Sequence, residues 1–83
     1  MAVGTSVLLN LPRAARVRTG REGAPVHVDG RAIELVRESW VVEDRWWTPQ
    51  PLRRRYWEVV TTSGRNLVVF HDLCAGAWFV QGC

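Results

Sequence analysis

The chain has 83 residues, 47% of them hydrophobic, with a formal net charge of +3 and five tryptophans. That length is a single domain of the size that buries only about 60–65% of its unfolded surface, and the large indole rings compensate for a thin core. A disordered chain and a disulfide framework are excluded, since the hydrophobic fraction is high and only two cysteines, Cys74 and Cys83, are present.

In chain order, residues 1–13 read as an N-terminal arm, apolar up to Leu11 and without clear periodicity. The apolar stretch is a poor signal peptide, because no basic residue precedes it and Pro12-Arg13 ends it. No run approaches the length of a membrane span, so the expected location is the cytoplasm. All 11 basic residues are arginine, which fits either the composition of a GC-rich genome or a choice of planar guanidinium groups for phosphate and carboxylate. Four of them (Arg13, Arg16, Arg18 and Arg21) fall within residues 1–21, where there is no acid. Residues 22–83 hold seven arginines against eight acids, a net −1, so the body is near neutral and is not built to coat nucleic acid wholesale.

Residues 14–83 form the expected β domain. Ala14–Thr19 has a strand pattern, and Gly20–Pro25 reads as a loop. Val26-His27-Val28, Asp29-Gly30 and Arg31–Leu35 make the sharpest local signal, alternating segments around a dipeptide suited to a type I′ turn. Residues 31–43 continue extended, with a bend near Glu38-Ser39. Pro49 and Pro51 force a loop. Arg54–Thr62 is a long strand, Ser63-Gly64 a tight turn, Asn66–His71 its return, Asp72–Gly76 a second turn and Ala77–Gln81 a last strand. No window of ten or more residues has clean helical spacing. The fold class is all-β: five to six strands in a small antiparallel meander or SH3-like barrel. Its expected core is Val28, Ile33, Leu35, Trp40, Val59, Val69, Phe70 and Trp78.

The aromatics come as adjacent pairs: Trp46-Trp47, Tyr56-Trp57 and Trp78-Phe79. Successive strand residues point to opposite faces, so each pair sends one ring inward and one outward. The outward rings lie beside Arg45, Arg53, Arg54 and Arg55, and the candidate binding surface is Arg45, Trp46, Trp47, Arg54, Arg55, Tyr56 and Trp57. Such a surface stacks bases or seats a protein through aromatic and arginine anchors, while rings that only cover the second face of a thin sheet are the structural alternative. In Arg53-Arg54-Arg55, alternation sends Arg54 to one face and its neighbours to the other. Glu43, Asp44 or Glu58 is placed to neutralise part of that charge.

Nothing points to catalysis. His71, Asp72 and Cys74 sit too close in sequence to make a nucleophile, a base and its orienting acid converge. His27, His71, Cys74 and Cys83 lack the paired short spacings of a metal site, so no metal and no cofactor is expected. There is no phosphate loop, metalloprotease helix or nucleophile elbow.

The ordered set Trp40–Trp47, Arg54–Val59, Gly64–Leu73 and Gly76–Gln81 resembles a family of small proteins from high-GC bacteria. It is also similar to the C-terminal segment of ImuB-type mutagenesis proteins, which are Y-family polymerase-like. There the pattern is a tryptophan pair, an arginine-tyrosine strand, a Gly-Arg turn and an aromatic strand ending in Trp-Phe. The resemblance spans roughly residues 14–82 and implies a non-catalytic accessory module of translesion synthesis or DNA repair, without polymerase activity and without a required cysteine. Leu8–Pro12 loosely resembles the sliding-clamp peptide of repair polymerases but lacks its glutamine, and reads as an ordinary apolar tail. The expected function is therefore a protein–protein adaptor. The alternatives are a single-stranded nucleic-acid binder and a subunit that completes a larger protein's sheet.

Overall fold

The computed structural model describes residues 12–44, 47, 49 and 51–81. Within them run strands β1 (Pro12–Ala14), β2 (Val17–Thr19), β3 (Pro25–Val28), β4 (Arg31–Asp44), β5 (Leu52–Thr61), β6 (Asn66–Asp72) and β7 (Ala77–Gln81), with a 3-10 turn at Arg21–Gly23. All pair antiparallel in one sheet of order β1-β7-β6-β5-β4-β3-β2. No helix among the described residues is long and apolar enough to cross a membrane.

The first two strands stand at opposite ends of that order, yet only Ala15 and Arg16 separate them. Two residues reach roughly 10 Å from the end of one strand to the start of the next, so the sheet must curl until its two ends come within that reach. The step is tied to both ends. Ala15 N donates to Trp78 O at 3.0 Å, Asp29 N donates to Arg16 O at 2.7 Å, and Arg16 N donates to Asp29 Oδ1 at 2.9 Å. The result is the expected small all-β, barrel-like meander, with seven strands where five to six were expected. The segment 14–19 is the source of the difference. It begins earlier, at Pro12, and divides at Ala15-Arg16 because its halves pair with different ends of the sheet.

Turn chemistry fixes the hairpins. Asp29 (φ 51°) and Gly30 (φ 81°) both lie in the left-handed region, as a type I′ turn requires. The β5–β6 hairpin closes through Thr61, whose buried Oγ1 meets Ser63 Oγ at 2.9 Å and accepts from Arg65 N at 3.1 Å. That hydroxyl is the one buried polar side chain of the described core, and it is satisfied.

The inner face holds the core: Val28, Trp57, Val59, Leu67, Val69 and Val80, with Ala15, Val17, Ala24, Ile33 and Trp78 packed against them. Of the expected core, Val28, Val59, Val69 and Phe70 are buried, and Ile33 and Trp78 are half-buried. Leu35 (47% exposed) and Trp40 (36% exposed) do not belong to it. The pairing of β4 with β5 slips by a residue between Ile33 and Leu35 and again between Val36 and Glu38. The first slip turns Leu35 away from Ile33's face, and the second restores the original parity. Trp40 then pairs with Tyr56, on the face opposite the core residue Trp57.

Candidate functional site

Strand register brings four rings from four strands into one row on the outer face. Trp40 of β4 pairs with Tyr56 of β5, Tyr56 with Phe70 of β6, and Phe70 with Phe79 of β7. Ring centroids lie 5.4, 4.9 and 5.1 Å apart in that order, with interplanar angles of 2°, 36° and 21°. These spacings match the separation of neighbouring strands, so the rings stand side by side and cover one another's faces. Phe70, in the middle, is only 1% exposed although it points away from the core.

Charges of opposite sign flank the row. Two residues along β5 in one direction is Arg54, whose guanidinium carbon lies 4.6 Å from the Phe70 ring centroid and whose Nη1 donates to Tyr56 Oη at 3.4 Å. Arg54 Nε is buried and has no hydrogen-bond partner among the described residues. Its cross-strand neighbour Asp72 is occupied elsewhere, since Asp72 Oδ1 accepts from Cys74 N and Ala75 N, both at 3.0 Å, and so caps the β6–β7 turn. Two residues the other way is Glu58, directly opposite Glu38 of β4. No described cation forms an ion pair with either glutamate, and like charges facing each other across a strand pair are destabilising.

The inner face continues above the core as a second, smaller cluster. Arg55 Nε donates to Ser39 Oγ at 3.3 Å and its guanidinium carbon lies 5.3 Å from the Trp57 ring centroid. Trp57 stacks on Trp78 at 5.1 Å, and Trp78 on His71 at 4.4 Å. Arg53 shares this face and forms an exposed ion pair with Glu43 at 2.8 Å.

The sequence-derived surface is therefore divided. Arg54 and Tyr56 lie on the outer face, whereas Arg55 and Trp57 lie on the inner one, and Trp57 (5% exposed) is a core residue unable to serve as an outward anchor. Trp47 is 65% exposed in the β4–β5 connection, and Arg45 and Trp46 lie outside the described residues. Three ladder members, Trp40, Phe70 and Phe79, were missing from the sequence-derived set. The signal for them is cross-strand register, which a pair-by-pair reading of adjacent aromatics does not use. His71 and Asp72 point to opposite faces, and Cys74 Sγ turns to the Pro51 carbonyl at 3.5 Å, so these three do not converge. No group of three or more His, Cys, Asp or Glu among the described residues is arranged to hold a metal.

An open cleft of about 310 Å³ lies elsewhere, lined by Arg16, Val17, Arg18, His27 and Gly30, with His27 Nδ1 buried and unpartnered. None of the ladder rings reaches it. Searches against protein-family models, curated proteins and solved structures return no match for this chain.

Proposed function

We propose that this chain is a non-catalytic, protein-binding adaptor whose recognition surface is the outer face of the sheet. The observation that carries the reading is the ring row Trp40–Tyr56–Phe70–Phe79 lying between Arg54 and the Glu38–Glu58 pair. A one-layer sheet normally turns polar side chains outward on the face away from its core. Here that face is aromatic at its centre and carries charges that form no ion pair among the described residues. An aromatic patch with a desolvated arginine is the composition of a protein-binding hot spot.

The same geometry disfavours single-stranded nucleic acid. Stacked rings present their edges, whereas bases need open ring faces, and the glutamate pair beside the row repels phosphates. The resemblance to the C-terminal segment of ImuB-type proteins supports a setting in the cytoplasm, within a mutagenesis or DNA-repair assembly.

The test compares proteins captured from damage-treated cells by the parent chain and by Arg54→Glu, Trp40→Ala and Arg37→Ala. Partners should be lost with the first two and kept with Arg37→Ala, which lies off the ring row. Equal capture by all four chains overturns the reading. So does tight, steeply salt-dependent binding to a labelled oligothymidine, because an apolar protein-binding face gives none.

A further inference from the structure

We infer that the outer face is self-complementary and that its occupant is a second copy of this chain, docked face to face about a two-fold axis along the ring row. This rests on the outer face being the recognition surface, and it names the partner there. Arg54 and Glu58 both lie on β5, each two residues from Tyr56 and on opposite sides of it. A two-fold axis parallel to the ring row, running over Tyr56 about 5 Å above the outer face, reverses strand direction and sets the two outer faces against each other. It carries Arg54 of one copy over Glu58 of the other, and the reverse, while each ring row settles on its counterpart.

Three independent features are answered by that one operation. The half-buried guanidinium of Arg54, which has no ion-pair partner among the described residues, gains a carboxylate acceptor. The opposed Glu38 and Glu58 gain a guanidinium between them. The exposed edges of Trp40, Tyr56 and Phe79 gain apolar cover. This is the pattern of an isologous interface, in which residue i meets j and j meets i. Because each sheet curls around its inner core, two outer faces meet along their ring rows, where the sheets pack about 10 Å apart.

The face is small. Four strands about 4.8 Å apart and three side-chain rows cover roughly 400 Å² per copy, half the ~800 Å² of a standard interface. Association is accordingly weak and depends on concentration.

Charge exchange tests the geometry. Sedimentation equilibrium of the whole chain from about 10 µM to about 1 mM should show a monomer–dimer equilibrium. Arg54→Glu and Glu58→Arg should each weaken it at least tenfold, because both contacts become like-charged. An equimolar mixture of the two variants should dimerise again, since in the mixed dimer both contacts pair opposite charges. The double variant should match the parent. Glu58→Arg places a cation beside Glu38 within its own chain, so it folds whatever becomes of Arg54→Glu, and its loss of dimer alone decides if the other fails to fold.

A parent that stays monomeric to the highest concentration overturns the inference, as does a mixture that fails to recover. A dimer untouched by both single variants is held elsewhere, for example at the β4 edge, and overturns it too. If the parent stays monomeric while Arg54→Glu still loses captured proteins, the adaptor reading stands and the homotypic contact falls. If the charge exchange succeeds while Arg54→Glu captures everything the parent does, the dimer stands and the adaptor reading falls.

Discussion

Replacing Glu58 with glutamine should stabilise this protein in dilute solution, although it removes a charge from the surface. Glu58 is half-buried and faces Glu38 across the β4–β5 pair, with no ion-paired cation among the described residues. Two unit charges about 6 Å apart repel by about 0.7 kcal/mol in water and by about 2.8 kcal/mol at an effective dielectric constant of about 20. Glu38 is exposed, which puts this pair toward the watery limit, and cross-strand charge pairs contribute about 0.2–1 kcal/mol. Glutamine keeps the shape and abolishes the repulsion, so the gain is about 0.5–1 kcal/mol. For a domain of this size that raises the melting temperature by about 2–8 °C. The assay is a thermal melt followed by circular dichroism at micromolar concentration and low ionic strength, repeated with added salt. Salt screens the repulsion, so the parent should gain more from it than Glu58→Gln does. A variant that melts below the parent in dilute solution would mean that Glu58 is held by an attraction, and the account of this face would be wrong. At concentrations where the dimer forms the sign should reverse, because there Glu58 meets the Arg54 of a second copy.

The two faces should also differ in their tolerance of ring loss. Trp57→Ala leaves a cavity in the core cluster and costs about 3–5 kcal/mol, a large share of the roughly 4–12 kcal/mol available to a domain of this length. Trp40→Ala opens to solvent and loses chiefly its stack on Tyr56, about 0.5–1.5 kcal/mol, so equal losses in a denaturant titration would refute the assignment of faces. Gly30→Ala forces a Cβ into the left-handed region at φ 81° and should cost about 1–2 kcal/mol. Arg53→Ala, by contrast, breaks only an exposed pair with Glu43 and should shift stability by less than about 1 kcal/mol, both read from the same titration.

The turns were legible because their signals are local. Asp29-Gly30, Ser63-Gly64 and Asp72–Gly76 each carry the residues that their backbone angles require, and the hairpins beside them followed. Alternation also separated Arg54 from Arg53 and Arg55. It could not say which face is the core, because both faces of β5 and β6 are apolar: Trp57, Val59 and Val69 on one, Tyr56, Val60 and Phe70 on the other. That choice is made by which way the sheet curls, a property of contacts distant in sequence. Leu35 failed for another reason. A bulge adds a residue to one strand without leaving a mark in the hydrophobic pattern, and everything counted across it changes face. The ladder escaped notice because its members belong to four strands, and it exists only once their registers are set.

The short step at Ala15-Arg16 has a consequence for the order in which this chain can assemble. Short turns join β3 to β4, β5 to β6 and β6 to β7, and these strands can pair as soon as they are adjacent. Pro12–Ala14 pairs with Phe79–Gln81, almost the full length of the described chain away, so the first described strand must wait for the last. Contacts of such separation form slowly, since the intervening chain has to be ordered before they are rewarded. Val17–Thr19, two residues further on, already has its partner in the nearby Pro25–Val28. Residues 12–19 therefore act as a latch, hinged early on one side of the sheet and closed on the other by the last described strand. A chain shortened before Ala77 would keep the latch and lose its catch.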